Sequence, residues 1–172
     1  MRTVADHFPS CNLVIAGDGP LRGPLETRTR ELGLEPHIQF TGRYVLDELP
    51  NMVQRATLAV LPFDVASDGD TEGLGLTVIE AMGCGTPVIV GDVQAVHDVV
   101  EDGSNAILVE PAAPSGLAES IIELLQDPQR RTQLAEQARA DCLAHFDWEP
   151  AIARYATLLG EMHESTSPDS AP

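Results

Sequence analysis

Apolar positions along the chain fall into short, nearly continuous runs set between longer stretches where they recur every three or four residues. "NLVIAG" (12–17), "HIQFTG" (37–42), "LAVLP" (58–62), "PVIV" (87–90) and "AILVEP" (106–111) are runs of the first kind, the pattern of strands buried on both faces. Between them, "PLRGPLETRTRELG", stopped by Gly33, "LDELPNMVQRA" and a short stretch around "AVHDVV" predict helices. Further helices are expected to open near Gly75, Pro114, Pro128 and Trp148, proline suiting a first helical position because its missing N–H would have no partner there. "MRTVADHFP" reads as the end of a helix. Strands alternating with helices predict an α/β fold, a Rossmann-like parallel sheet with helices on both faces.

Ligands of such sheets lie beyond the carboxyl ends of the strands. Gly17, Gly19, the loop after Pro62 and the loop before Leu76 fall at such ends and are expected to share one rim. The polar loop "FDVASDGDTEGLG" (63–75) is the longest irregular stretch, and it leads into a helix whose first N–H groups and positive dipole end suit a phosphate. Two carboxylates flank that glycine turn, Glu72 before it and Glu80 about five residues into the helix. Backbone amides would address charge, and the two acids would accept hydrogen bonds from sugar hydroxyls. The plain alternative is that Glu72 favours the helix dipole and Glu80 is a solvated helix residue.

The composition narrows the chemistry. The 172 residues are 43% hydrophobic, enough for one sizeable core, and carry a formal charge of −17, which opposes nucleic acid and anionic membrane as main partners. All ten cations are arginine, so a Walker-type phosphate loop, a Schiff-base lysine and a lysine general base are excluded together. Cys11, Cys84 and Cys142 are far apart and lack C-x-x-C spacing, which suggests neither a disulfide framework nor a zinc site and fits a reduced, cytoplasmic setting. No apolar run approaches 18 residues and no charged-then-apolar leader opens the chain. Asp68, Asp70 and Glu72 imitate the start of an EF-hand loop, but the twelfth position is Ile79. Gly17, Gly19 and Gly23 miss the dinucleotide spacing by one place. Cys84, between two glycines, reads as a small packed thiol, and His37, His97 and His145 are scattered with no visible acid partner.

Glu72 and Glu80, with seven residues between them in "EGLGLTVIEAMGCGTPVIV", resemble the E-x7-E signature of the retaining nucleotide-sugar glycosyltransferases of GT-B fold, family 4, also called group 1. The likeness runs on through "LVIAGDGPLRGPLE", "IQFTGRYVLDELP", "AVLPF" and "VVEDGSNAILVEP", roughly Cys11 to His163, and "ASDGDTEGLG" is similar to versions found in exopolysaccharide assembly. The resemblance implies that Glu80 holds the ribose hydroxyls and that Glu72, the catalytic candidate, contacts the transferred sugar. Gly73, Leu74, Gly75, Leu76 and Thr77 would line sugar and diphosphate, while Arg43, Tyr44 and Val45, in the "TGRYV" turn that opens at Gly42, would border the base, with Gly17 and Gly19 nearby. Leu74 departs from the phenylalanine common in this loop, at a position expected to act through its backbone. Arg22 and Arg43 are further candidate cations on the rim. The donor would be a UDP- or GDP-sugar, with no metal and no cofactor.

The same resemblance implies that residues 1–163 form a C-terminal donor-binding domain that lacks its first strand, with 164–172 a disordered tail. An N-terminal acceptor domain would be the missing partner, and the complete enzyme could lie peripherally on a membrane. The expected function is donor binding for sugar transfer to a glycan or lipid-linked acceptor in polysaccharide biosynthesis, inactive alone. The alternatives are a non-catalytic GT-B-like interaction module and another GT-B enzyme such as a nucleotide-sugar epimerase. In the strand order 3-2-1-4-5-6 the absent strand is the central one, so "NLVIAG" and "LAVLP" would either pair directly or leave a slot.

Overall fold

The computed structural model describes residues 1–65, 69 and 75–166. Each apolar run becomes a strand: β1 (Leu13–Ala16), β2 (Ile38–Gly42), β3 (Ala59–Leu61), β4 (Val88–Gly91) and β5 (Ile107–Val109). The helices are α1 (Arg2–His7), α2 (Arg22–Glu31), α3 (Leu49–Gln54), α4 (Leu76–Gly83), α5 (Pro114–Gln126), α6 (Pro128–His145) and α7 (Trp148–Thr166). Proline opens α5 and α6 as its geometry favours. The side chain of Asp127 caps α6 by accepting the Arg130 N–H at 2.9 Å. Gly33, at φ +60°, ends α2 with its N–H on the Arg30 carbonyl.

Two expectations need correction. The stretch around "AVHDVV" is not an α-helix but a 3₁₀ turn at Gln94–Val96; with four strand residues before it and β5 soon after, its valines serve as plugs in the core. The helix over "LDELPNMVQRA" opens with a 3₁₀ turn at Leu46–Glu48 before α3 begins. At the other end α7 reaches Thr166, and residues 167–172 lie outside the described residues.

All strand pairs are parallel. β4 is the most buried strand, and its side chains alternate between two cores. Val88 and Val90 join Val78, Met82 and Ala138 from α4 and α6, while Ile89 joins Leu124 of α5 and Leu134 of α6. Period-two alternation thus puts helices against both faces of this sheet. The buried Asn105 ties the approach to β5 onto α6, donating to the Asp141 carboxylate at 2.9 Å and accepting the Glu101 N–H at 2.8 Å.

The strands form two sheets, β1-β2 and β3-β4-β5. β1 and β3 do not pair, so direct pairing is not the arrangement adopted. Among the described residues no strand pair joins the two sheets. Helix α1 links the two parts by packing on α5, with Val4 and Ala5 buried in the contact region.

Candidate functional site

The carboxyl ends of the strands carry two groups of the residues singled out from sequence. The first surrounds Gly17 and Gly42. Gly17 donates its N–H to the Gly42 carbonyl at 2.9 Å, which brings the loop after β1 against the turn after β2 and so unites Gly17 and Gly19 with Arg43, Tyr44 and Val45. Both glycines have positive φ, +130° and +73°, which L side chains adopt only with strain. The Gly19 N–H donates to the Asp18 carboxylate at 3.0 Å. Leu21, the residue before Arg22, caps α2, and the Arg22 guanidinium lies over the Gly42 α-carbon while its Nε donates to Glu26 at 2.9 Å. Arg22 is therefore a cation on this rim, held by a carboxylate on its own helix. Arg43 and Val45 are exposed and Tyr44 is half-buried.

The second group belongs to α4. Gly75 is its N-cap, in the left-handed region at φ +66° and ψ +41°, and its carbonyl accepts the Val78 and Ile79 N–H groups at 2.8 and 3.3 Å. A β-carbon on Gly75 would touch Val78 and Val96, so this buried residue makes the turn by being small as well as by its φ. Leu76 and Thr77, the first helical residues, have no acceptor within the helix for their N–H groups, and both side chains are exposed, Leu76 by 61%. Glu80 is the fifth residue of α4 and is exposed one turn further on. Helical spacing of three and four places its carboxylate on the side that carries Thr77 and Leu76. Glu72, Gly73 and Leu74 lie outside the described residues, as do Asp68 and Asp70.

Two features of this rim were missed in the sequence. Asp92 follows β4 directly and its Oδ1 lies 2.5 Å from His97 Nε2, so His97 does have an acid partner. The 3₁₀ turn between them supplies the pairing, and its Val96 packs at the Gly75 α-carbon. The signal available was an Asp at a strand carboxyl end with His five residues on. The second feature is a cavity of about 220 Å³ at the ends of β3, β4 and β5, lined by Phe63, Asp64, Gly91, Glu110, Pro111 and Leu117 among others. Its two carboxylates disfavour an anion, which separates it from a phosphate-binding role. The turns after "LAVLP", "PVIV" and "AILVEP" signalled it, since each lies at a strand end.

Cys84, at the C-cap of α4, and Cys142 of α6 are half-buried thiols. The Cys142 thiol donates to the Ile79 carbonyl at 3.6 Å. Burial pushes both thiols above the usual cysteine range; Glu80 adds to the rise at Cys84, Cys84 adds to it at Cys142, and Arg139 opposes both. These are packing groups rather than nucleophiles. No group of three or more potential metal ligands occurs among the described residues, and none of the helices described is long and apolar enough to cross a membrane.

Comparison with known proteins places this geometry. The family model described as "Glycosyl transferases group 1" matches residues 1–141. The chain is 35% identical over 152 residues to an alpha-D-kanosaminyltransferase of Streptomyces kanamyceticus, covering 88% of this chain and 38% of that protein. It is 30% identical over 160 residues to a GDP-mannose-dependent alpha-(1-6)-phosphatidylinositol monomannoside mannosyltransferase of Mycolicibacterium smegmatis, covering 92% of this chain and 42% of that protein. The Anabaena protein HepE, solved in complex with UDP-glucose, superposes with a TM-score of 0.77 at 25% identity over 94% of this chain and 45% of its own. The chain thus spans about two fifths of the length of the curated relatives it matches. A parallel Rossmann-like sheet, a glycine-capped helix at its carboxyl rim and a family match over most of the sequence together establish that this chain belongs to the group 1 glycosyltransferases, with the GT-B fold.

Proposed function

We propose that the chain is the C-terminal, donor-binding domain of a retaining family 4 glycosyltransferase, its residues 1–163 holding a UDP- or GDP-sugar for transfer to a glycan or lipid-linked acceptor. The observation that carries this reading is the start of α4. Left-handed Gly75 turns the chain so that the Leu76 and Thr77 amides and the Glu80 carboxylate occupy one exposed side of one helix end. Amides there suit a diphosphate, because the helix dipole and the orphan N–H groups act together. A carboxylate one turn on suits the two ribose hydroxyls, accepting a hydrogen bond from each. The E-x7-E resemblance assigns Glu72 to the transferred sugar and the Gly73 and Leu74 amides to the sugar and diphosphate. The Arg43–Val45 turn, tied to the Gly17 loop, borders the base, and Arg22 supplies positive potential nearby.

In this division of labour the domain binds and orients the donor, and an N-terminal domain presents the acceptor hydroxyl. The relatives' greater length supports the second half of that statement. The amides and Glu80 hold the donor without a metal, and the sugar is transferred with retention at its anomeric carbon. The chain acts in the cytoplasm, where nucleotide sugars are its substrates, with the complete enzyme peripheral to a membrane when the acceptor is lipid-linked. Calorimetric titration of the purified chain with UDP, GDP, UDP-glucose and GDP-mannose tests the reading. Saturable binding of one nucleotide family supports it, and no binding of any of the four at millimolar concentration overturns it.

A further inference from the structure

We propose that Asp92 and His97 are positioning residues for the donor site: their side-chain hydrogen bond holds the 3₁₀ turn between them against Gly75, and so sets the direction of the Leu76 and Thr77 amides. What those amides bind rests on the donor-binding reading; what holds them rests on geometry alone. The segment that carries the pair is anchored at both ends. At its start the Asp92 N–H donates to the Val109 carbonyl at 2.8 Å, tying it to β5. At its end the buried Val99 and Val100 both donate to the Val96 carbonyl, at 3.0 and 2.8 Å. The turn in between has the Val96 N–H on the Val93 carbonyl at 3.1 Å and the His97 N–H on the Gln94 carbonyl at 3.3 Å, and the hydrogen-bond geometry of a 3₁₀ turn is poorer than that of an α-helix. The bond from His97 Nε2 to Asp92 Oδ1, at 2.5 Å, closes this turn from outside.

Val96 is the residue that this closure aims. It is fully buried, and one of its methyl carbons stands 3.5 Å from the place a β-carbon would take on Gly75, with a Val78 methyl carbon 3.4 Å from the same place. Gly75 is the N-cap of α4, at φ +66° and ψ +41°. A glycine there has no side chain with which to fix the first N–H groups of the helix, so the two valines packed on its α-carbon steady the turn. Glycine is also the conformationally freest residue; when Val96 shifts, Gly75 can leave the left-handed region, and the Leu76 and Thr77 amides turn with it. Exposure separates this role from ordinary support of the core. The His97 and Asp92 side chains are 47% and 46% exposed, and pairs so exposed add little to global stability. The consequence of breaking the bond is therefore local, and it falls on the start of α4.

The test compares the parent with Asp92→Ala, His97→Ala, the double alanine variant, Asp92→Asn and His97→Gln. Asparagine keeps the accepting oxygen and glutamine presents an N–H near the place of the imidazole Nε2, so these two retain the bond without an ion pair. Each protein is followed by residue-resolved hydrogen exchange and by calorimetric titration with UDP and with GDP. In the alanine variants the Val78 and Ile79 amides, which donate to the Gly75 carbonyl, are expected to exchange on the order of tenfold faster, with Val90 of β4 unchanged. The nucleotide that the parent binds is expected to be held about tenfold more weakly, the double variant being no worse than either single one because the two residues act as a unit. Asp92→Asn and His97→Gln are expected to keep parental values. Unchanged exchange and affinity in the alanine variants overturn the proposal. Equal acceleration at Val90 also overturns it, because the pair then supports the whole fold. Affinity lost in His97→Gln as fully as in His97→Ala overturns it as well, because the imidazole itself is then the ligand contact. If the parent binds neither nucleotide, the donor reading fails, while faster exchange confined to Val78 and Ile79 still supports the pair as what positions the start of α4.

Discussion

The backbone of Phe63 crosses directly over the α-carbon of Gly91: a β-carbon at residue 91 would stand 2.0 Å from the Phe63 carbonyl oxygen and 2.7 Å from its nitrogen. The loop leaving β3 can fold back against β4 only because residue 91 has no side chain. This crossing shapes the cavity at the ends of β3, β4 and β5, which both residues line.

Gly91→Ala is therefore expected to be among the most damaging single substitutions in the chain. Its clash is with backbone, so no rotamer change relieves it, and the loop must move. A loss of about 3 kcal/mol or more is expected, read as a lowered urea midpoint. Gly116→Ala is the control, since nothing stands within 4 Å of its added carbon. Equal midpoints for the two variants would show the crossing to be unimportant.

The proposed ribose contact predicts the effect of Glu80→Ala. Glu80 is exposed and makes no ion pair among the described residues, so folding should be unaffected. Removing two charge-assisted hydrogen bonds should weaken nucleotide binding by about 1.5 to 3 kcal/mol, with the same affinity in chelator as without it. Unchanged affinity in Glu80→Ala, measured by calorimetry, removes the ribose assignment; affinity abolished by chelator removes the metal-free one.

Much of this fold was legible because the sequence repeats one device. Strands such as Val88–Gly91 are apolar at every position, and Pro114 and Pro128 announce their helices. What escaped depends on tertiary approach. The valines at 93, 96, 99 and 100 have the spacing of a helix but are spent as core plugs around a 3₁₀ turn. The Asp92–His97 pair arises from that turn, and the Phe63–Gly91 crossing from packing between loop and strand; neither has a periodicity to detect. At the candidate site, the glycine turn into α4 was readable because Gly75 is needed there for its φ. The grouping of Gly17 with the Gly42–Val45 turn was expected only in outline, since it rests on one inter-strand hydrogen bond. The part of the site at Glu72 remains with the sequence alone.

The raised thiols give a pH prediction with a definite sign. A thiol whose folded-state pKa lies above its unfolded value is held neutral by the fold, so it contributes stability below the unfolded value that is lost as pH rises through the folded one. For Cys84 and Cys142 that window opens near pH 9 and extends above it. Stability should fall there more steeply in the parent than in a Cys84→Ala/Cys142→Ala double variant. Iodoacetamide at pH 8.5 should label both thiols more slowly than it labels free cysteine. Labelling as fast as the free amino acid would contradict burial as the cause.

Catalytic turnover depends on a group that presents the acceptor hydroxyl, and the proposed reading assigns that group to another domain. The purified chain is expected to form no glycosylated product from UDP-glucose or GDP-mannose with a panel of acceptors. Product above the level of donor hydrolysis, followed by mass spectrometry, would refute the assignment. Appearance of product on adding a separately expressed N-terminal half would support it.

The last helix gives a prediction about solution behaviour. Trp148, Ile152, Tyr155 and Leu159 follow one another by four, three and four residues, a single stripe on α7, and all are exposed, Trp148 by 79% and Tyr155 by 70%. Among the described residues α7 shares no substantial contact with the other elements, and its stripe lies outside the buried core clusters. A contiguous apolar patch on a soluble surface promotes association. Truncation after Asp147 should therefore reduce light scattering at high concentration while leaving the thermal midpoint within a few degrees of the parent, because few stabilising contacts are removed. Tyr155→Glu should do the same with the helix retained. A truncated chain that melts far below the parent would mean that α7 packs on the core in solution. Unchanged scattering in both variants would mean that the stripe drives no association.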